Sequence, residues 1–101
     1  MVGANITYTT ISTGTGDEAG MAATQRLRLL GVFVRETAAA VATLNIEHGT
    51  ANSSPIMVPF NLAASATSSH WFGFPGLPCP DGIWIERLTG TTQVVLITTV
   101  L

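Results

Sequence analysis

The sequence predicts an all-β fold: a small antiparallel sandwich, jelly-roll-like, of about seven short strands. Three observations predict it. The 101 residues hold fifteen threonines and six serines against four arginines and no lysine, a β-leaning surface of uncharged polar groups. Runs rich in β-branched residues recur about every ten positions, separated by Gly, Pro, Asn and Asp. Heptads, repeats and low-complexity tails are absent, and 47% hydrophobic positions with a mean hydropathy of +0.43 exclude a disordered chain.

The first strand is ITYTTIS, ending in the turn residues Thr13-Gly14-Thr15-Gly16-Asp17. Residues 18–25 are Ala- and Gly-rich without a persistent period and fit one helical turn or an irregular arm. Residues 1–25 are therefore set apart as an N-terminal strand or arm with a flexible link, and 26–101 as the sandwich domain. An arm docking on a neighbouring chain and an ordinary first strand of the same domain both suit this segment.

RLRLLGVFVRE over 26–36 is the next strand, with Gly31 marking a bulge or the close approach of another backbone. Ala42, Leu44 and Ile46 alternate with Thr43, Asn45 and Glu47, so 37–48 reads as a strand joined to its predecessor by a tight hairpin at Thr37-Ala38. A loop of turn formers over 48–55 follows. Ile56, Val58, Phe60 and Leu62 then share one face, and Pro59, which cannot donate a ladder hydrogen bond, places that strand at a sheet edge. Residues 66–72 alternate weakly, and the prolines and glycines of 73–82 exclude regular structure. IWIERL and QVVLITTVL complete the set. The latter, uncharged and free of proline, must be central in a sheet or paired across a subunit boundary. The expected core is Leu44, Ile46, Val58, Phe60, Ile85, Val95 and Ile97, with Trp84 at its edge or at a subunit boundary.

Little catalytic chemistry is available. His48, His70, Cys79 and Asp81 match no ligand spacing, so no metal, cofactor or catalytic residue is assigned. Cys79 between Pro78 and Pro80 reads as a rigid turn, not an activated thiolate. Glu36, Glu47 and Glu86 lie near strand ends or an arginine, where solvation is expected, and the chain reads as no enzyme. A net charge of −2 without a basic stripe argues against nucleic acid. No apolar run approaches the ~20 residues that cross a bilayer, and no basic and apolar leader opens the chain, so a soluble, cytosolically made protein is expected.

What remains is contact chemistry. Tyr8, Trp71, Phe74 and Trp84 fit either an aromatic platform for a sugar or peptide, or core and subunit contacts. Arg26, Arg28 and Arg35 offer bidentate contacts to a neighbour's carboxylates, or a solvated sheet face. A chain of about 100 residues buries only roughly 65% of its unfolded surface, so part of this apolar content is expected to meet another copy or partner.

The order RLRLLGVFV, LNIEHGT, a proline-bearing strand, then DGIWI and GTTQVVLI resembles small β-sandwich virion proteins of tailed bacteriophages, chiefly capsid decoration or cement proteins. The resemblance covers residues 26–100 and carries no catalytic or ligand motif; Leu27, Val32, Gly82, Trp84 and Val95 match as structural positions. It implies a homotrimer that binds the major capsid protein across subunit junctions, in a virion assembled in the host cytoplasm. A carbohydrate- or receptor-binding module of a tail or fibre, with Trp71, Trp84 and Tyr8 as platform, and a neck or tail adaptor are the alternatives.

Overall fold

The computed structural model describes residues 5–24, 26–52 and 54–100. Among them are nine strands and no helix: β1 (Asn5–Gly14), β2 (Glu18–Met21), β3 (Leu27–Glu36), β4 (Ala42–His48), β5 (Ile56–Leu62), β6 (Thr67–Trp71), β7 (Leu77–Pro78), β8 (Ile83–Thr89) and β9 (Thr92–Val100). One antiparallel sheet has the order β1-β9-β3-β6, with the short β7 also pairing β3; the other has the order β2-β8-β4-β5. A single rule relates them. Strand β1 pairs with β9, β2 with β8, β3 with β6 and β4 with β5, so the chain is one long antiparallel ribbon rolled up until successive pairs alternate between the sheets. That is the jelly-roll order.

The core lies between the sheets, filled by Leu29, Val32 and Val34 of β3, Leu44 and Ile46 of β4, Val58, Phe60 and Leu62 of β5, Ile83 and Ile85 of β8, and Val94 and Leu96 of β9. The clean alternation of β4, β5 and β8 puts the expected residues inside. Strand β9 differs: Val95, expected in the core, is half-buried on the outward side, while Val94 and Leu96 fill the space between the sheets; Ile97 is buried as expected, at 4% exposure, but outside that inter-sheet cluster. Both parities of β9 are apolar, so its alternation does not choose a face; the register with β3 does.

Several connections depart from the sequence reading. No hairpin joins β3 to β4, because the chain crosses between sheets over 37–41. The Glu36 carboxylate organises this crossing: it accepts hydrogen bonds from Ala38 N at 2.6 Å and Ala40 N at 3.2 Å, while Ala39 takes a left-handed φ of 55°. Residues 18–21, read as a helical turn or arm, are a strand. Its small residues serve close packing, since a Cβ on Gly20 would lie 2.8 Å from Leu96 Cδ1 on the opposite sheet. Within the proline-rich stretch, Leu77–Pro78 pairs with Arg28 and Leu29. β9 is central between β1 and β3, and β5 with Pro59 is an edge strand, both as expected. Strand β1 lies along β9 of its own chain. Residues 1–4 and Gln25 of the N-terminal segment, and Leu101 of QVVLITTVL, are outside the described residues.

Candidate functional site

The outward face of the β1-β9-β3-β6 sheet carries the largest grouping of exposed aromatic side chains. Because Val32, Val34, Val94 and Leu96 point into the core, Phe33, Arg35, Val95 and Ile97 point away from it. One row across the sheet runs Tyr8, Ile97, Gly31, Trp71, and the next runs Thr10, Val95, Phe33, Ser69. Tyr8 is 70% exposed, Trp71 59% and Phe33 47%. Three inter-strand steps of roughly 4.8 Å place Tyr8 and Trp71 about 14 Å apart along their row.

Gly31 sets the shape of this surface. The β3–β9 register shifts between Leu29 and Gly31, and a Cβ on Gly31 would stand 2.5 Å from Trp71 Cε3, so the missing side chain lets the indole lie down on the sheet. The bulge and the close approach expected at this glycine are both present, the approaching group being a ring as well as backbone. Beside Phe33 a shallow depression of about 300 Å³ is lined by Phe33, Val34, Arg35, Thr67, Gln93 and Val95. Arg35 Nη2 donates to Gln93 Oε1 at 2.9 Å, which fixes a cation at its rim.

The seven residues expected at an interface are thus divided. Tyr8, Arg28, Arg35 and Trp71 belong to this face, Arg28 sitting half-buried opposite Thr99. Arg26, just before β3, and Phe74, in the loop after β6, are exposed at its margins. Trp84 is on the other sheet, where its Nε1 donates to Asn52 Oδ1 at 2.6 Å, so a platform combining Trp71, Trp84 and Tyr8 does not exist. Sequence reading missed Phe33, because it sits between Val32 and Val34 in a run apolar at both parities.

The charged groups point elsewhere. Arg87 of β8 is buried, and its five N–H groups are all used: Nε on Thr92 Oγ1 at 2.9 Å, Nη1 on Gly16 O at 2.8 Å and on Glu18, Nη2 on Ser12 O at 2.8 Å and Thr92 O at 3.1 Å. It is a structural tie between β8, β9 and the β1–β2 connection, with no donor left for a ligand. Glu36 and Glu47, expected in solvent, are 3% and 1% exposed. Glu36 is buried because three backbone amides replace its water, the third being Ser65 N at 2.7 Å; that bond, the largest influence, holds its carboxyl below the usual carboxylate range.

The remaining candidates for chemistry are dispersed. Cys79 is in the core with Sγ 3.4 Å from Met57 Sδ, and burial pushes its thiol up to about 11. His48 Nε2 accepts from Asp81 N at 3.2 Å and lies 3.7 Å from Asp81 Oδ2, whereas His70 meets the Phe72 ring edge-on at 4.6 Å. Among the described residues no group of three or more His, Cys, Asp or Glu side chains is placed to hold a metal ion. In comparisons with family models, curated proteins and solved structures, nothing matches this chain.

Proposed function

We propose that this protein is a structural subunit, a capsid decoration protein, that works by laying the outward face of its β1-β9-β3-β6 sheet on other protein surfaces, its own copies included. The observation that carries this is the row from Tyr8 to Trp71 with Phe33 beside it. Aromatic area on a flat, rigid sheet supplies association energy with little rotamer entropy to lose. Folding has also taken Glu36, Glu47 and Arg87 inside, so a chain with few charges shows still fewer to water, and its surface costs less to desolvate.

The β1 edge supports the same reading. Seven consecutive residues, 5–11, pair with β9 without a register break, and this stretch carries no charge and no proline on its open side. The other edges are guarded: β5 by Pro59, β2 by its four-residue length and the ion pair of Glu18, β6 by its five residues. Long unguarded edges belong to chains that pair further. The trimer and the major capsid protein as partner come from the sequence resemblance.

Cross-linking mass spectrometry on intact particles of the encoding virus is the test. Cross-links from the outward face to the major capsid lattice are expected; recovery of the chain only from the soluble fraction of infected cells would overturn the proposal. A carbohydrate-binding module is the second reading, favoured by Tyr8 and Trp71 sharing a row, and glycan-array binding abolished by Trp71→Ala would select it.

A further inference from the structure

The outward face of the other sheet holds an arrangement that such docking does not use. Ala42, Leu44 and Ile46 fill the core, so Thr43, Asn45 and Glu47 face away from it, with Glu86 across from Asn45 and Trp84 across from Glu47. A glutamate on such a face belongs in water, yet Glu47 is completely covered and its Oε1 has no hydrogen-bond partner among the described residues.

The connection from β4 to β5 reaches it, the Ser54 amide meeting the Glu47 carboxyl. It is closed at its base by His48 N donating to Pro55 O at 2.8 Å and Gly49 N donating to Gly82 O at 3.0 Å. Asn52 fastens it across the sheet: Oδ1 accepts from Trp84 Nε1, and Nδ2 donates to Asp17 Oδ2 at 2.7 Å. Asp17 is itself anchored, its Oδ1 accepting from Arg87 N at 2.7 Å.

The charged surroundings of Glu47 are acidic from each side. Glu86 faces it from β8 and Asp17 from the β1–β2 connection, while the Ser54 amide is the one group drawing it toward ionisation. His48, next to it on β4, is turned to Asp81. Arg87, on the inward side of β8, spends its donors on Glu18, Ser12, Gly16 and Thr92. Burial, then the hydrogen bond and charge of Glu86, push the Glu47 carboxyl up to about 7.

We propose that the described residues of the β4–β5 connection, 49–52 and 54–55, are a proton-gated flap, closed while the Glu47 carboxyl keeps its proton beside the Glu86 carboxylate and released when that proton leaves to solvent. Opening hydrates the two anions and uncovers Trp84 and a negatively charged strip on the second sheet.

The sign follows from linkage. A Glu47 held near 7 when closed and near its ordinary 4.5 when open favours closure fully below 4.5 and loses that preference as pH rises to 7. The test is amide hydrogen exchange of His48 and Gly49, read as protection factors between pH 4.5 and 9, together with the Trp84 indole N–H resonance. Protection is expected to fall by up to about tenfold per pH unit between 4.5 and 7 and then level off, the limit for release of one proton. Glu47→Gln, a neutral isostere, is expected to keep the flap closed and its protection constant, whereas His48→Asn keeps the full pH dependence. Should Glu47→Gln not fold, Glu86→Gln serves: removing the second carboxylate moves the fall to lower pH. Constant protection in the wild type, an unshifted fall in either glutamine variant, or its loss in His48→Asn would overturn the proposal.

Discussion

At the scale of single residues, the charged groups of Arg87 and Glu36 are held inside this protein by hydrogen-bond partners. Arg87 is the clearest case, with all five donors placed on oxygen atoms of four residues. Substituting Arg87 by Ala leaves the carboxylate of Glu18 and several carbonyls without their donor, and a loss of about 3–5 kcal/mol is expected in urea unfolding. Lys recovers little of it, since three donors on a point charge cannot serve five fixed acceptors. Glu36 acts through pH. Its carboxyl titrates below the ordinary value of 4.5, so its contribution is present above 4.5 and disappears as pH falls through the lowered value. Glu36→Gln is therefore expected to lower the urea midpoint at pH 7, and the gap between variant and wild type to narrow as pH falls below 4.5; a gap of equal size at every pH would contradict the assignment. Gly31→Ala drives a methyl group into the Trp71 ring and is expected to shift Trp71 fluorescence as the indole lifts, with small cost to stability because the ring faces solvent.

At the scale of elements, legibility tracked how one-sided each strand is. Strands β4, β5 and β8 alternate between apolar and polar side chains, so their inward faces were readable position by position. In β3 and β9 the runs LLGVFV and VVLI are apolar at both parities, and a pattern of period two carries no information there. The error at Val95 and the omission of Phe33 have this one cause, and these strands form the candidate interaction face. A test follows directly: Leu96→Ala opens a cavity in the core and is expected to cost about 2–5 kcal/mol, whereas Val95→Ala on the outward face costs under about 1.5 kcal/mol. Equal costs would mean that the β9 register is wrong. The crossing at 37–41 was illegible for another reason, since the Ala residues that look like strand or helix take their conformation from a side chain, that of Glu36.

At the scale of the whole molecule, an all-β sandwich was foreseeable from composition and turn spacing, but the nested pairing was not. Pairs such as β1 with β9 join residues as far apart as Asn5 and Val100, and only tertiary contact decides them. The rolled ribbon has a functional consequence. It brings the first strand, the last strand and β3 side by side, and so lines up Tyr8, Ile97 and Trp71, which are far apart in sequence, on one face. Trp84, by the same topology, goes to the opposite sheet under the β4–β5 connection.

Assembly through that face is the central claim, and sedimentation velocity of the wild type beside a Tyr8→Glu, Phe33→Glu double variant tests it most directly. At micromolar concentration the wild type should sediment at a multiple of its 10.5 kDa mass, and the double variant as a monomer with an unchanged far-ultraviolet circular dichroism spectrum. A wild type that is monomeric under these conditions, or a variant that assembles as the wild type does, would contradict it.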